Sequence, residues 1–141
     1  MRQVERSIED ELLARLGASP VPVPIIDLVQ LGWKQLMRLC LLREGAESRS
    51  WDMTLSVIDQ LIARAPGARP SLIHLIDKAD LLKLIRTGLS KVGETDSDRE
   101  ELLSRLELLL YGKNPDFPLA TYRSELRDEN DAQENMAAAD P

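Results

Sequence analysis

Apolar residues recur about one helical turn apart at Val4, Ile8, Leu12 and Leu16, the opposite face is charged, and Gly17 follows where such a helix would stop. The spacing predicts a helix over 3–16. The next stretch, GASPVPVP over 17–24, sets three prolines at alternate positions. Each lacks an amide donor and restricts the residue before it, so a short, stiff, extended linker is expected. Pro24 suits the first turn of a second helix, expected over 24–44 with Gly32 as its bending point.

That second helix carries Ile25, Ile26, Leu28, Val29, Leu31, Trp33, Leu36, Met37, Leu39, Cys40, Leu41 and Leu42, far more than one stripe, and should be buried on several sides. Gly45 closes it. Ser48 or Ser50 caps a third helix over 50–64, whose inward seam is Trp51, Leu55, Ile58 and Ile62. After the turn APGARP a fourth helix is expected over 70–92, again broadly apolar, with an irregularity near 77–80. Ser97 and Glu100 form a capping-box pattern opening a fifth, over 97–111, with Leu102, Leu103, Leu106, Leu109 and Leu110 on one face. Residues 124–141 hold few large apolar groups and are expected to fray or be disordered after a short docked segment around Phe117, Leu119 and Tyr122. The pattern therefore predicts an all-α protein: an antiparallel bundle of about five helices over 1–112, then an acidic tail or linker over 113–141.

Composition refines this picture. With 141 residues, one domain with one core is expected. Only five side chains are aromatic, so that core should be leucine-rich. The net charge is −6, and residues 113–141 hold 7 acids against 3 bases while the remainder is nearly neutral. No basic stripe of the kind that grips nucleic acid is present. A single cysteine fits a reducing cytoplasm and excludes an internal disulfide framework. The apolar runs are broken by Asp27, Lys34, Arg38 and Arg43, so no membrane insertion is expected.

Candidate chemistry is sparse. Helices two and three should be antiparallel neighbours, which puts Trp33 and Trp51 roughly 12 Å apart along the bundle axis at about 1.5 Å per residue, too far to stack. Trp33 is expected against Ile58 and Ile62, and Trp51 against Leu39 and Leu42. The core anchors are then Trp33, Trp51, Leu55, Ile58, Ile62, Leu102 and Leu106. Cys40 reads as a buried, inert thiol, although a pairing with His74 stays open. His74 reads as a surface or boundary residue, and Asp77 with Asp80 as a solvated face. No catalytic residue, metal site or cofactor is assigned.

The order VPVPIIDLVQLGWKQLMRLCLLREGAESRSWDMTLSVIDQLI, followed by a helix with RTGL and then LLSRLELL, resembles the middle helical segment of the proteobacterial domain-of-unknown-function family 1631. The positions that carry the resemblance are Trp33, Leu36, Arg43, Glu44, Gly45, Ser48, Trp51, Asp59, Leu61, Gly88 and Leu89. The resemblance implies that this chain is a segment or short relative of longer proteins that accompany cyclic di-GMP signalling domains. It supplies no catalytic residues to carry over.

The surplus apolar surface of the second and fourth helices leads to the functional expectation. A five-helix bundle hides one broad face per helix, so the excess should form an interface, with Leu28, Leu31, Met37, Leu41, Ile73, Leu81 and Leu84 as its candidates. The expectation is a non-enzymatic protein–protein interaction or dimerisation module, most economically a homodimer, acting as a regulatory or adaptor segment. The alternative is a sensor of a small ligand such as cyclic di-GMP. Its weakness is the lack of an arginine motif suited to bidentate phosphate binding.

Overall fold

The computed structural model describes residues 2–65, 74–93, 96–112 and 117–123. Among these, five helical rods are built from α1 (Arg2–Leu16), the continuous run α2 (Val23–Leu28), a π-helical turn (Val29–Trp33) and α3 (Lys34–Glu44), then α4 (Arg49–Ala63), α5 (Lys78–Lys91) and α6 (Asp96–Tyr111). Two residue pairs of antiparallel strand join β1 (Val21–Pro22) to β2 (Leu119–Ala120). The all-α reading holds, with this short ribbon added.

Local chemistry explains most boundaries. Gly17 N–H bonds the Leu13 carbonyl as α1 ends. The proline run is extended as expected, and Pro24 sits in the first turn of α2, where a missing donor costs nothing. Gly45 ends α3 at φ +88°, a conformation that suits glycine, and its N–H reaches back to the carbonyls of Cys40 and Leu41. Ser48 caps α4: its Oγ accepts from Trp51 N–H at 3.2 Å and donates to the Gly45 carbonyl at 2.8 Å. Of the two candidate caps, this is the one used.

Two expected helix starts move. The fourth helix begins at Lys78, not at 70: residues 74–77 are not helical, and side chains of α4 take up their backbone groups. Gln60 donates from Nε2 to the His74 carbonyl at 2.6 Å and accepts the Ile76 N–H at 3.1 Å, while Arg64 bonds the Ile76 carbonyl. Asp77 then starts the helix, its Oδ1 accepting from Ala79 N–H at 2.7 Å. The turn residues 66–70 and Ile73 lie outside the described residues. Helix α6 begins at Asp96, so Ser97 sits inside it rather than capping it.

The long rod is the hub. Helix α1 runs antiparallel to it, with Glu5 bonded to Arg38 and Glu9 to Lys34. Helix α4 returns alongside α3 after the Gly45 turn, and Arg15 of α1 reaches Asp59 of α4 at 2.9 Å. Helix α6 lies against α2, tied by Arg105 to Asp27 at 2.7 Å. It runs antiparallel to α5, with Lys78 over the Tyr111 ring at one end and Arg86 against Glu100 towards the other. The core between the rods holds Ile8, Leu12, Leu16, Ile25, Leu28, Val29, Trp33, Leu36, Met37, Ile58, Leu61, Leu81, Ile85 and Leu106, and it is dominated by leucine and isoleucine.

Residues 117–123 close one side as a strap. Val23 N–H bonds the Pro118 carbonyl and Tyr122 N–H the Leu16 carbonyl, each at 2.9 Å. Tyr122 is buried in the core, Phe117 is half-buried against it, and Leu119 is 60% exposed. The docked segment expected around Phe117, Leu119 and Tyr122 is thus part of the bundle, with Leu119 turned outward. Residues 124–141 lie outside the described residues.

Candidate functional site

The interface candidates read from the sequence separate into two groups. Leu28, Met37 and Leu81 have no exposed surface and are core residues, which removes them from any interface. Leu31, Leu41 and Leu84 are half-buried and pack against the core. Periodicity counted the apolar positions of the rod correctly but underestimated how many neighbours would enclose it, since α1, α4, α5 and α6 all touch it.

The expected anchors fare differently from one another. Trp33, Ile58, Leu106, Leu102 and Trp51 are buried, whereas Leu55 and Ile62 are half-buried. On α4 the buried positions are Trp51, Thr54, Val57, Ile58, Gln60 and Leu61, so the inward face is rotated from the seam drawn through Leu55 and Ile62. The indole N–H of Trp33 donates to the carbonyl of Thr54 at 3.0 Å, one turn before Ile58. Leu42, expected to share a layer with Trp51, is 51% exposed.

The sparse reactive groups have local structural partners. Burial pushes the Cys40 thiol above its ordinary value, the Glu44 carboxylate adds to this, and Lys91 opposes it. His74 is exposed, with its backbone held by Gln60 of α4. Asp77 is a helix cap, and Asp80 lies in the first turn of the same helix. Among the described residues no group of three or more His, Cys, Asp or Glu is arranged to hold a metal ion.

One polar constellation was not legible in the sequence. Glu9 is buried on α1, bonded to Lys34 of α3, and its Oε2 accepts the Tyr122 hydroxyl at 2.5 Å. The Lys34 ammonium also lies 5.5 Å from the centre of the Tyr122 ring. A buried carboxylate requires this kind of pairing. Here it locks the strap onto α1 and α3. The residues lie 25 and 88 positions apart in the chain, so no spacing signal connects them.

What stays outward on the long rod is a line of positions rather than a broad apolar face. Gln35 is exposed, Leu39 half-buried and Leu42 exposed, and neither leucine is packed against the core. The π turn closes with i→i+5 bonds, so positions four apart through it fall almost directly above one another. Asp27, Leu31 and Gln35 therefore line up, Leu39 and Leu42 continue the line on α3, and Arg43 stands at its edge, about 80° round from Gln35. Arg38 and Lys34 flank it on the α1 side. At the α2 end the line borders an open hollow of about 330 Å³ lined by Asp27, Gln30, Leu31, Asp98, Glu101, Leu102 and Arg105.

These features define an all-helical bundle domain organised round one long, wide-turned rod. A family model matches residues 1–107, the third domain of a protein family of unknown function (DUF1631). The chain belongs to that family. Neither the curated proteins nor the solved structures contain a match. The resemblance drawn from the sequence is thereby placed in the third domain, and its marker residues acquire physical roles. Trp33 and Leu36 pack on Gly88, Gly45 and Ser48 build the turn into α4, Asp59 holds Arg15, and Leu61 and Leu89 are core.

Proposed function

We propose that this domain is a non-enzymatic helical association module that lays the outward line of its long rod against another helix. The supporting observation is the run Leu31, Gln35, Leu39 and Leu42. Its leucines keep apolar surface outside the core, Leu42 most of all, in a bundle that fully buries Leu28 and Leu36 of the same rod. Such a narrow apolar line with polar flanks suits a helix-on-helix contact better than a pocket ligand. Placed in a longer protein of its family, the domain serves as an adaptor segment, with cyclic di-GMP-linked signalling as its setting.

A dinucleotide sensor receives less support, because arginines that would grip phosphate already have carboxylate partners. Arg15 is held by Glu11 and Asp59, Arg38 by Glu5, Arg86 by Glu100 and Arg105 by Asp27.

A photo-crosslinking residue placed at Gln35 tests the proposal in cells. The expected result is an adduct with one identified protein, joined through a helical segment and lost when Leu42→Asp is added. Failure to form any adduct, or adducts indifferent to Leu42→Asp, would overturn it.

A further inference from the structure

We infer that the helix received by this face is the same rod of a second copy of the chain, lying antiparallel with the twofold axis at Gln35. The inference rests on the association reading above and adds the identity and direction of the partner. Its basis is the order of side chains along the line. Counting outward from Gln35, Leu31 lies four positions before it and Leu39 four after, while Asp27 lies eight before and Arg43 eight after.

An antiparallel copy centred on Gln35 brings Leu31 to Leu39 of the second copy and sets Asp27 level with Arg43 at the edge of that copy's line, where the long guanidinium side chain reaches it, each contact occurring twice. The charged contacts fall about 12 Å on either side of the axis, at about 1.5 Å rise per residue. Leu42 then adds its exposed apolar surface beside Leu31 of the second copy. A parallel arrangement would stack Asp27 on Asp27 and Arg43 on Arg43, so charge selects the antiparallel one.

The axis residue also fits. A glutamine amide carries both donors and acceptors, so two symmetry-related copies satisfy each other, and a single polar pair in an apolar seam fixes its register. Asp27 already accepts from Arg105 at 2.7 Å. A carboxylate has room for a second cation on its other oxygen. The wide turn contributes as well: without it, Asp27 and Leu31 would drift off the line that Gln35 and Leu39 define.

The test uses the full chain, by sedimentation at micromolar concentrations and by cysteine pairing. Gln35→Cys in a Cys40→Ser background places one thiol on the axis and should oxidise rapidly to a disulfide-linked dimer. Gln30→Cys in the same background, off the axis, should not. Leu42→Asp should weaken the dimer about tenfold or more, a change on the order of 1.4 kcal/mol. Arg43→Glu should weaken it too, and Asp27→Lys added to Arg43→Glu should restore it, because the reversed pair regains its match.

A chain that sediments as a monomer, or a dimer indifferent to Leu42→Asp whose Gln35→Cys variant pairs no faster than Gln30→Cys, would overturn the inference. If a monomer still gave an identified heterologous adduct in cells from the Gln35 photo-crosslinker, the association reading would survive and only the self-pairing would fall.

Discussion

Gly88 on α5 lies directly against the indole of Trp33: a β-carbon there would stand 2.6 Å from Cζ3 and 2.9 Å from Cη2, with Leu36 Cδ2 at 2.7 Å. The Trp33 ring is itself fixed by its hydrogen bond to Thr54 and by complete burial. Gly88→Ala should therefore destabilise the protein by about 1–3 kcal/mol through overpacking, although alanine favours helix intrinsically. Urea denaturation checks this, and near-ultraviolet circular dichroism should report the displaced indole.

The strap gives a second expectation. Tyr122→Phe keeps the ring but removes the hydroxyl from Glu9, leaving that buried carboxylate with Lys34 as its side-chain partner across the rods. The expected loss is about 1–3 kcal/mol, the cost of an unsatisfied buried polar group. Removing residues 113–141 should cost more than Tyr122→Phe, since the β1–β2 pairing is lost as well. Equal midpoints for the wild type and the shortened chain would contradict this.

Acid sensitivity should be traceable to Glu5. Its carboxyl is held below the ordinary value near 4.5 by the hydrogen bond from Arg38, with burial opposing and the charges of Arg38 and Lys34 adding to the lowering. A depressed carboxyl pKa stabilises the fold above the ordinary value, and the gain is lost as pH falls through the folded value. Glu5→Gln should thus show a shallower loss of urea midpoint than the wild type over roughly pH 3 to 6. Parallel curves would assign the acid transition to other groups.

Cys40 should be a slow thiol. Burial and Glu44 both disfavour the thiolate, so a disulfide reagent at mildly alkaline pH should label the native chain more slowly than it labels the urea-unfolded chain. Glu44→Gln should speed the native reaction. Native labelling as fast as unfolded labelling would contradict the placement of this side chain.

Much of the helical layout was readable because each signal was local. Val4, Ile8, Leu12 and Leu16 mark one face of α1, Gly45 permits the chain reversal, and Ser48 satisfies an N–H of α4. The start of α5 is not legible in the sequence because the competing partners, Gln60 and Arg64, come from another helix, and no periodicity within 70–77 records them. The burial of Leu28, Met37 and Leu81 is hidden for a related reason. Apolar positions on a rod show how much surface must be covered, but the coverage itself depends on how many neighbours arrive. Leu28 and Met37 look no different from Leu39 and Leu42 in the sequence, and only the wide turn and the packing of α1, α4, α5 and α6 separate them. The Glu9, Lys34 and Tyr122 lock joins residues whose adjacency exists only after folding.

The π turn over Val29–Trp33 makes the two halves of the long rod answer to different neighbours, α2 to α6 and α3 to α1 and α4. Rewinding those five residues as plain α-helix at unchanged length would turn the downstream half of the rod by about 100° relative to the upstream half, because the wide turn takes up about one residue more than α-helix would for the same rotation. Trp33 would swing away from Gly88, Lys34 from Glu9 and Arg38 from Glu5 in one movement. The five-residue turn therefore sets the phase between two otherwise independent gear faces, and deleting the exposed Gln30, which lets the turn rewind with that phase nearly kept, should damage the fold less than deleting a residue within α3.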